Sequence, residues 1–406
     1  MEKQNALCYD ESYVKRVISQ VDWDFMNTAY LEEGVIPPFN IRKHHGYLAT
    51  FTPALPYVLI EALTHPGAVV LDPFLGIGTT YLQALILGRK PLGIESCHIA
   101  TQFLKAFVYL FQNSKQISFG LQEWYDVKSS YNKDFRFNGT DFPKSFHLLE
   151  PWYHPETYHE LCYLKGCLSS SKNTIFIALV NIVLSNSLIR LSSQNRGWGY
   201  IADNVKPKEL RPKYLFKTLE NKIQSLIKDI YYLRESFSKS SYGGIAIDDN
   251  IIQTSIFQQP LPISKRSIDA IITSPPYPNM MDYALSQRLS YYFWNLPFEG
   301  DVRNEFATRR NRKHKNANDE YIQLFFQFNS YLMDLLKKNG YLCYVLPDFH
   351  SDNPKKIIID KIISAMKDNG AKKIAHFSRY ISSTKRASNT SMASLDKELI
   401  VILRKE

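Results

Sequence analysis

The sequence predicts an α/β protein built on a mainly parallel sheet with helices on both faces. Three observations predict it. Short apolar runs alternate with helix-spaced segments across residues 41–112 and again from about 245 to the end, the pattern of strands joined by crossover helices. The run Ala68-Val69-Val70-Leu71 leads into a glycine turn, Asp72-Pro73-Phe74-Leu75-Gly76-Ile77-Gly78-Thr79-Thr80, and the chain leaves it with helical spacing. A second apolar run, 268–272, stops in Thr273-Ser274-Pro275-Pro276-Tyr277.

Along the chain, residues 1–40 carry weak signals and read as a helical or irregular lead. Residues 41–112 read as helix, strand, glycine loop, helix (81–87), strand (Pro91-Leu92-Gly93-Ile94-Glu95) and helix (98–112). From 113 to 240 the strand signal fades. Segments 152–168, 174–192 and 212–236 carry helix-spaced apolar residues, so this stretch is expected to be a mostly helical insertion. The sheet is expected to resume at Ile245-Ala246-Ile247-Asp248-Asp249-Asn250 and to continue with a strand over 267–273. Helix 320–338, strand 340–346, helix 354–369, strand 371–377 and a terminal strand follow. Three parts result: a lead and cofactor half (1–112), the insertion (113–240) and a catalytic half (241–406).

Strand, glycine turn and helix make the cofactor-binding arrangement of doubly wound sheets, because glycines permit a tight turn and close backbone approach. The third glycine of the dinucleotide fingerprint is missing here, since Thr79 and Thr80 follow Gly78 directly. A pyrophosphate-bearing cofactor is therefore disfavoured. Glu95, at the end of the next strand, can accept both ribose hydroxyls of a nucleoside; the plainer alternative is a solvated strand end. Together these features favour a nucleoside cofactor without a phosphate chain, and S-adenosylmethionine fits. Asp249 or Asn250 is placed to reach its adenine. At the second motif, Pro275 and Pro276 fix their own φ and extend the residues before them. The Ser274 hydroxyl and the Pro275 carbonyl then become outward acceptors for an exocyclic amino group, and Tyr277 offers a face on which a base can stack. A proline-rich turn or a polyproline ligand is the alternative for Ser-Pro-Pro-Tyr taken alone.

Asp72-Pro73-Phe74-x-Gly76-x-Gly78-Thr79-Thr80 together with Ser274-Pro275-Pro276-Tyr277 resembles the amino-group DNA methyltransferases. The Ser-Pro-Pro-Tyr form is typical of those that methylate cytosine N4; adenine-N6 enzymes more often carry Asp or Asn in place of this serine. Thr50-Phe51-Thr52-Pro53-Ala54-Leu55-Pro56 resembles the segment that packs against the cofactor's methionine part in this family, which adds Thr52 and Pro53 to the cofactor candidates. Asn279, Asp282, Tyr283 and Arg288 continue the catalytic motif as in many members. The resemblance implies a Rossmann-like methyltransferase fold with a seven-stranded sheet. It also implies S-adenosylmethionine as cofactor, and direct methyl transfer to a base flipped from double-stranded DNA. In the arrangement with the cofactor motif first, the insertion usually carries target recognition. Adenine N6, structured RNA, or non-catalytic nucleic-acid binding on the same scaffold are the competing expectations, and whether a cognate restriction enzyme is a partner is left open.

Composition agrees with a polyanionic partner: the 406 residues carry a net charge of +10 and a pI near 9.1, as nucleic-acid-binding surfaces require. Two basic segments are candidates for DNA contact. One is Arg309-Arg310-Asn311-Arg312-Lys313-His314-Lys315, whose cations can neutralise phosphates and whose alternative is a solvated basic loop. The other runs from 194 to 208 and includes Arg196 and Trp198, with a merely buried Trp198 as its alternative. The polar loop 378–389 is a third, weaker candidate. The five cysteines form no Cys-x-x-Cys pair and no Pro-Cys dipeptide occurs. Disulfides, a zinc site and the cysteine nucleophile of carbon-5 cytosine methylation are therefore not expected. The ten histidines lack a metal-ligand context. A polar start and the lack of any apolar run approaching ~18 residues lead to the expectation of a cytoplasmic protein with no membrane span.

Overall fold

The computed structural model describes residues 6–24, 38–48, 50–136, 142–197, 199, 201–239, 250–278, 281–310, 316–348, 356–368, 370–381 and 396–406. Its strands are β1 (Val69–Asp72), β2 (Lys90–Glu95), β3 (Ile251–Gln253), β4 (Ile268–Thr273), β5 (Leu336–Pro347), β6 (Ala371–Tyr380) and β7 (Lys397–Lys405). They form one seven-stranded sheet in the order β3-β2-β1-β4-β5-β7-β6. The pairs from β3 to β5 are parallel, and β7 runs antiparallel to both of its neighbours. This is the expected Rossmann-like methyltransferase fold. The chain builds outward from β1 to β3 and then returns to place β4 on the other side of β1. A crevice opens at such a reversal, beyond the carboxyl ends of the strands.

Both faces of the sheet are covered because its central strands are apolar at most positions on both faces. All six residues of β4 are buried. Successive residues of a strand point to opposite faces, and the two sets enter two different cores. Val70, Ala270, Ile272, Cys343 and Ile402 pack with helices Ala54–Leu63, Thr79–Ile86 and His98–Gln112. Leu71, Ile271, Leu342, Tyr344 and Val401 pack with helix Ala317–Leu335 and part of helix Lys356–Asp368.

Between residues 113 and 239 the described residues form helices and no strand. The main ones are Ile117–Ser129, Pro155–Ser170, Thr174–Ser185 and Leu215–Lys239. Thr174–Ser185 packs across both His98–Gln112 and Ile117–Ser129, and their buried side chains join the same core that backs the sheet.

Three expectations shift. Among the described residues the resumed sheet runs over Ile251–Gln253, past the end of the expected 245–250; the Gly93 N–H donates to the Asn250 carbonyl at 2.8 Å, and 241–249, including Asp249, lie outside the described residues. Segment 174–192 breaks into two helices at Asn186–Ser187. There the hydroxyls of Ser185 and Ser187 bond back to the carbonyls of Ile182 and Val183, competing with the helical ladder. Helix Ala317–Leu335 stops short of 338 because Leu336 already pairs with Ile268 of β4. The lead is helical over Glu11–Ser19, capped by Asp10. It is tied to the sheet by the Leu7 N–H, which donates to the buried Asp269 carboxylate at 2.7 Å.

Candidate active site at the β1–β4 crevice

β1 and β4 are direct neighbours, with Val70 opposite Ala270 and Leu71 opposite Ile271. The glycine turn and the double-proline loop therefore leave the sheet side by side. They are bonded to each other: the Thr273 hydroxyl donates to Asp72 Oδ1 at 2.6 Å, inside the protein. Phe74 N–H donates to the same oxygen at 3.1 Å. Burial pushes the Asp72 carboxyl up to about 6, and the bonds from Thr273 and Phe74 pull against that rise.

The turn is closed by Glu95 at the end of β2. Its two oxygens accept from the N–H groups of Gly76 (2.6 Å) and Cys97 (2.8 Å). Burial raises this carboxyl to about 7, with the two backbone bonds opposing and the Asp72 charge adding to the rise. Gly78 caps helix Thr79–Ile86 at φ 85°, and a Cβ there would lie 2.5 Å from Leu104. Only glycine meets both conditions.

A cleft of about 870 Å³, open solvent at its mouth included, lies over these turns. Asp72, Pro73, Phe74, Gly76 and Thr79 line it from the first motif, Glu95 and Cys97 from the end of β2, and Ser274 and Pro276 from the second motif. Thr254–Phe257 after β3 form its far end, and Tyr47, Phe51, Tyr283 and Asn304–Phe306 complete the walls.

Several expected residues stand behind this surface instead. Thr80 and Gly78 belong to the helix start, and Pro53 caps helix Ala54–Leu63. The Thr52 carbonyl accepts from Leu55 in the first turn of that helix; Thr50 and Phe51, not Thr52 and Pro53, line the cleft. Asn250 joins β2 through its backbone and is not on the lining. Nor are Pro275 and Tyr277. The Tyr277 ring packs against the core beneath helix Ala317–Leu335, and its hydroxyl donates to Glu398 Oε1 at 3.0 Å. The Pro276 carbonyl accepts from the Tyr321 hydroxyl at 3.1 Å.

Of the other lining residues, Tyr283 continues the catalytic motif, whereas Tyr47, Phe257, Glu305 and Phe306 carry no motif signal. Tyr47 and Tyr283 stack at 5.6 Å. Phe306 stacks on Tyr321 at 4.8 Å and lies 6.2 Å from Phe74 and 5.1 Å from Phe257. Glu305 is the least expected. Its side chain is 8% exposed, Oε1 accepts from the Ala284 N–H, and Oε2 has no hydrogen-bond partner. Burial raises this carboxyl to about 7 as well.

The basic candidates divide. Arg309 and Arg310 are exposed, but the Arg310 guanidinium turns inward. It donates to the Val302 carbonyl and stands 3.5 Å from Asp282 and 3.8 Å from Glu305. It ties the Asn304–Phe306 wall to the chain that follows the catalytic motif. Arg312, Lys313 and Lys315 lie outside the described residues, as do Trp198, Asn279 and most of loop 378–389. Arg196 is exposed on a loop folded around Asp203, which accepts from the N–H groups of Asn195 and Arg196 at 2.9 and 3.1 Å. This loop docks beside the cleft. Ala202 N–H donates to the Ser286 carbonyl at 2.8 Å, and the Arg288 guanidinium donates to Asn204 at 2.9 Å. Both contacts reach helices Tyr283–Ser286 and Arg288–Trp294, which carry the Tyr283 wall. Among the described residues no helix is long and apolar enough to cross a membrane, and all five cysteines are free thiols.

Comparison with known proteins points to the same chemistry. The family model described as "DNA methylase" matches residues 10–103, the part holding the glycine turn and Glu95. The type II methyltransferase M.BsoBI of Geobacillus stearothermophilus is 26% identical over 316 residues, a match covering 71% of this chain and 60% of that protein. The type II methyltransferase M.MjaII of Methanocaldococcus jannaschii is 21% identical over 385 residues, covering 75% of this chain and 71% of the relative. The chain thus spans about 60% of the first relative's length.

Proposed function

From a chain that belongs to the amino-group DNA methyltransferases, we infer that the crevice binds S-adenosylmethionine and methylates the exocyclic N4 of a cytosine turned out of double-stranded DNA. The observation that carries this is the Thr273–Asp72 hydrogen bond. It joins the turn suited to the cofactor and the loop suited to an amino group into one wall.

The residues present fit the cofactor. Asp72, Glu95 and Glu305 bring three carboxyls to one cleft, and Glu305 Oε2 is an acceptor without a donor. Such a surface repels phosphates and attracts a nucleoside bearing a sulfonium and an ammonium. Each carboxylate oxygen has two lone pairs. Glu95 can therefore keep its bonds to Gly76 and Cys97 and still receive the ribose hydroxyls. Asp72, Pro73, Phe74, Gly76 and Thr79 shape the rest of the floor. Thr52, Pro53, Gly78, Thr80 and Asn250 act one layer behind, by holding those residues in place.

When bound, the cofactor supplies an electrophilic methyl group on sulfur. The chain's task is to make the acceptor nitrogen nucleophilic. An aromatic amine holds its lone pair in the ring. Ser274 Oγ, on the cleft, accepts one N–H bond and draws the nitrogen toward tetrahedral geometry. Pro275 and Pro276 keep that oxygen from moving, since neither φ can turn, and the Tyr321 bond to the Pro276 carbonyl braces the loop from behind. Base extrusion costs a few kcal/mol, and stacking on an aromatic side chain returns about 1–3 kcal/mol. Serine at this position favours cytosine N4 over adenine N6.

Around the cleft, the loop bearing Arg196 and the exposed Arg309 face the duplex, and the helical insertion supplies target recognition. Arg310 contributes by fixing the wall rather than by meeting phosphate. The test is direct. Unmethylated DNA incubated with the protein and isotopically labelled S-adenosylmethionine should yield labelled N4-methylcytosine on nucleoside mass spectrometry. Label appearing only in N6-methyladenine would reassign the base, and unlabelled DNA would remove the activity.

A further inference from the structure

Tyr277 is held by residues that no motif marks. Arg379 on β6 and Glu398 on β7 are direct cross-strand partners. The Arg379 guanidinium donates twice to Glu398 Oε2, at 2.8 and 2.7 Å. Glu398 Oε1 is left to accept the Tyr277 hydroxyl at 3.0 Å, from a residue 121 positions away. The two charged side chains are 8% and 16% exposed. Burying such a pair costs desolvation that an apolar pair would avoid. Two apolar residues would seal the hairpin as well, but they could not hold a phenol by its tip. Burial and the Glu398 charge keep that phenol protonated, so it remains the donor.

A tyrosine ring tethered at its hydroxyl cannot swing about its first side-chain torsion. Its plane is then fixed relative to Ser274, three residues earlier on the same stiff loop. We propose that Glu398 and Arg379 are positioning residues for methyl transfer: by holding Tyr277 behind the cleft they fix the loop that carries Ser274, which lines the cleft where the extruded base's amino nitrogen would sit. The proposal presupposes that the crevice methylates DNA. In this arrangement the cofactor lies over β1, β2 and β3, the reacting nitrogen over β4, and the tether that steadies the Ser274 loop at the ends of β5 and β7.

Single-turnover methylation of unmethylated DNA, with protein in excess over sites and labelled S-adenosylmethionine, tests this. It is combined with calorimetric measurement of cofactor affinity. Tyr277→Phe removes only the donor, whereas Glu398→Ala removes the acceptor together with the partner of Arg379. Each should slow transfer by about 10- to 100-fold, the scale of a misaligned reactant, with cofactor affinity unchanged. The double variant should be no slower than the slower single one, because both break the same bond. Glu398→Gln, whose amide oxygen still accepts the phenol, should recover much of the rate. A folded Glu398→Ala protein transferring at the wild-type rate would overturn the assignment. So would losses that multiply in the double variant, or an equal loss of cofactor affinity. Wild-type protein that labels no DNA would instead remove the methyl-transfer function on which the assignment stands.

Discussion

Burial holds the carboxyls of Asp72, Glu95 and Glu305 above their ordinary range, at about 6, 7 and 7. A carboxyl in the unfolded chain titrates near 4, so the folded cleft keeps protons that the unfolded chain has already released. Stability of the unliganded protein should therefore fall as pH rises from about 4 to about 7. A cation in the cleft reverses the preference, because it favours the ionised form. Cofactor affinity should rise between pH 5.5 and 8, and calorimetry across that range should show protons released on binding; flat affinity would mean that these groups do not face the ligand. Asp72→Asn keeps an acceptor for Thr273 and Phe74 but removes the charge. It should weaken cofactor binding by about 1.5–3 kcal/mol, the worth of a hydrogen bond to a charged group, with little change in melting temperature. Asp72, Glu95 and Ser274 were legible in the sequence because each abuts a glycine or proline signal on a strand end. Glu305, Glu398 and Arg379 were not. Glu398 meets Tyr277 only because β7 inserts between β5 and β6, and no local pattern announces that pairing.

Elements bounded by strong punctuation were the readable ones. Helix His98–Gln112 and strand β4 stand within a residue of expectation, since a long apolar periodicity and a Pro-Pro stop define them. The strand over Ile251–Gln253 was not read from the sequence, because three residues are too short for an alternation to show. The glycine turn illustrates how an element can be set by a neighbour far along the chain. Gly78 must leave room for Leu104, on the helix that follows β2. Gly78→Ala combines left-handed strain with a clash against that side chain. It should destabilise the protein by about 2–4 kcal/mol, measured by denaturant unfolding, and weaken cofactor binding through the displaced turn. The additional replacement Leu104→Ala should restore part of the binding by making space.

At the scale of the whole molecule, residues 113–239 do not behave as an appended module. Their helices share a core with the sheet's own helix His98–Gln112, where Leu104, Phe107 and Phe111 are buried. Excising the stretch and rejoining the chain should expose that face, giving an aggregated or unfolded product by circular dichroism and ultracentrifugation. A soluble remnant that still binds cofactor would show the two parts to be separable. The sequence placed three of the four main helices of this stretch, missing Ile117–Ser129, and did not show their shared core, since helical spacing reveals an apolar stripe and not what covers it. The Asp72–Thr273 bond spans 201 positions, and that distance has a consequence during synthesis. On the ribosome, the glycine turn emerges long before its partner strand does. A nascent chain stalled before residue 268 should retain no cofactor, whereas one stalled well past 347, with β4 and β5 clear of the exit tunnel, should capture it.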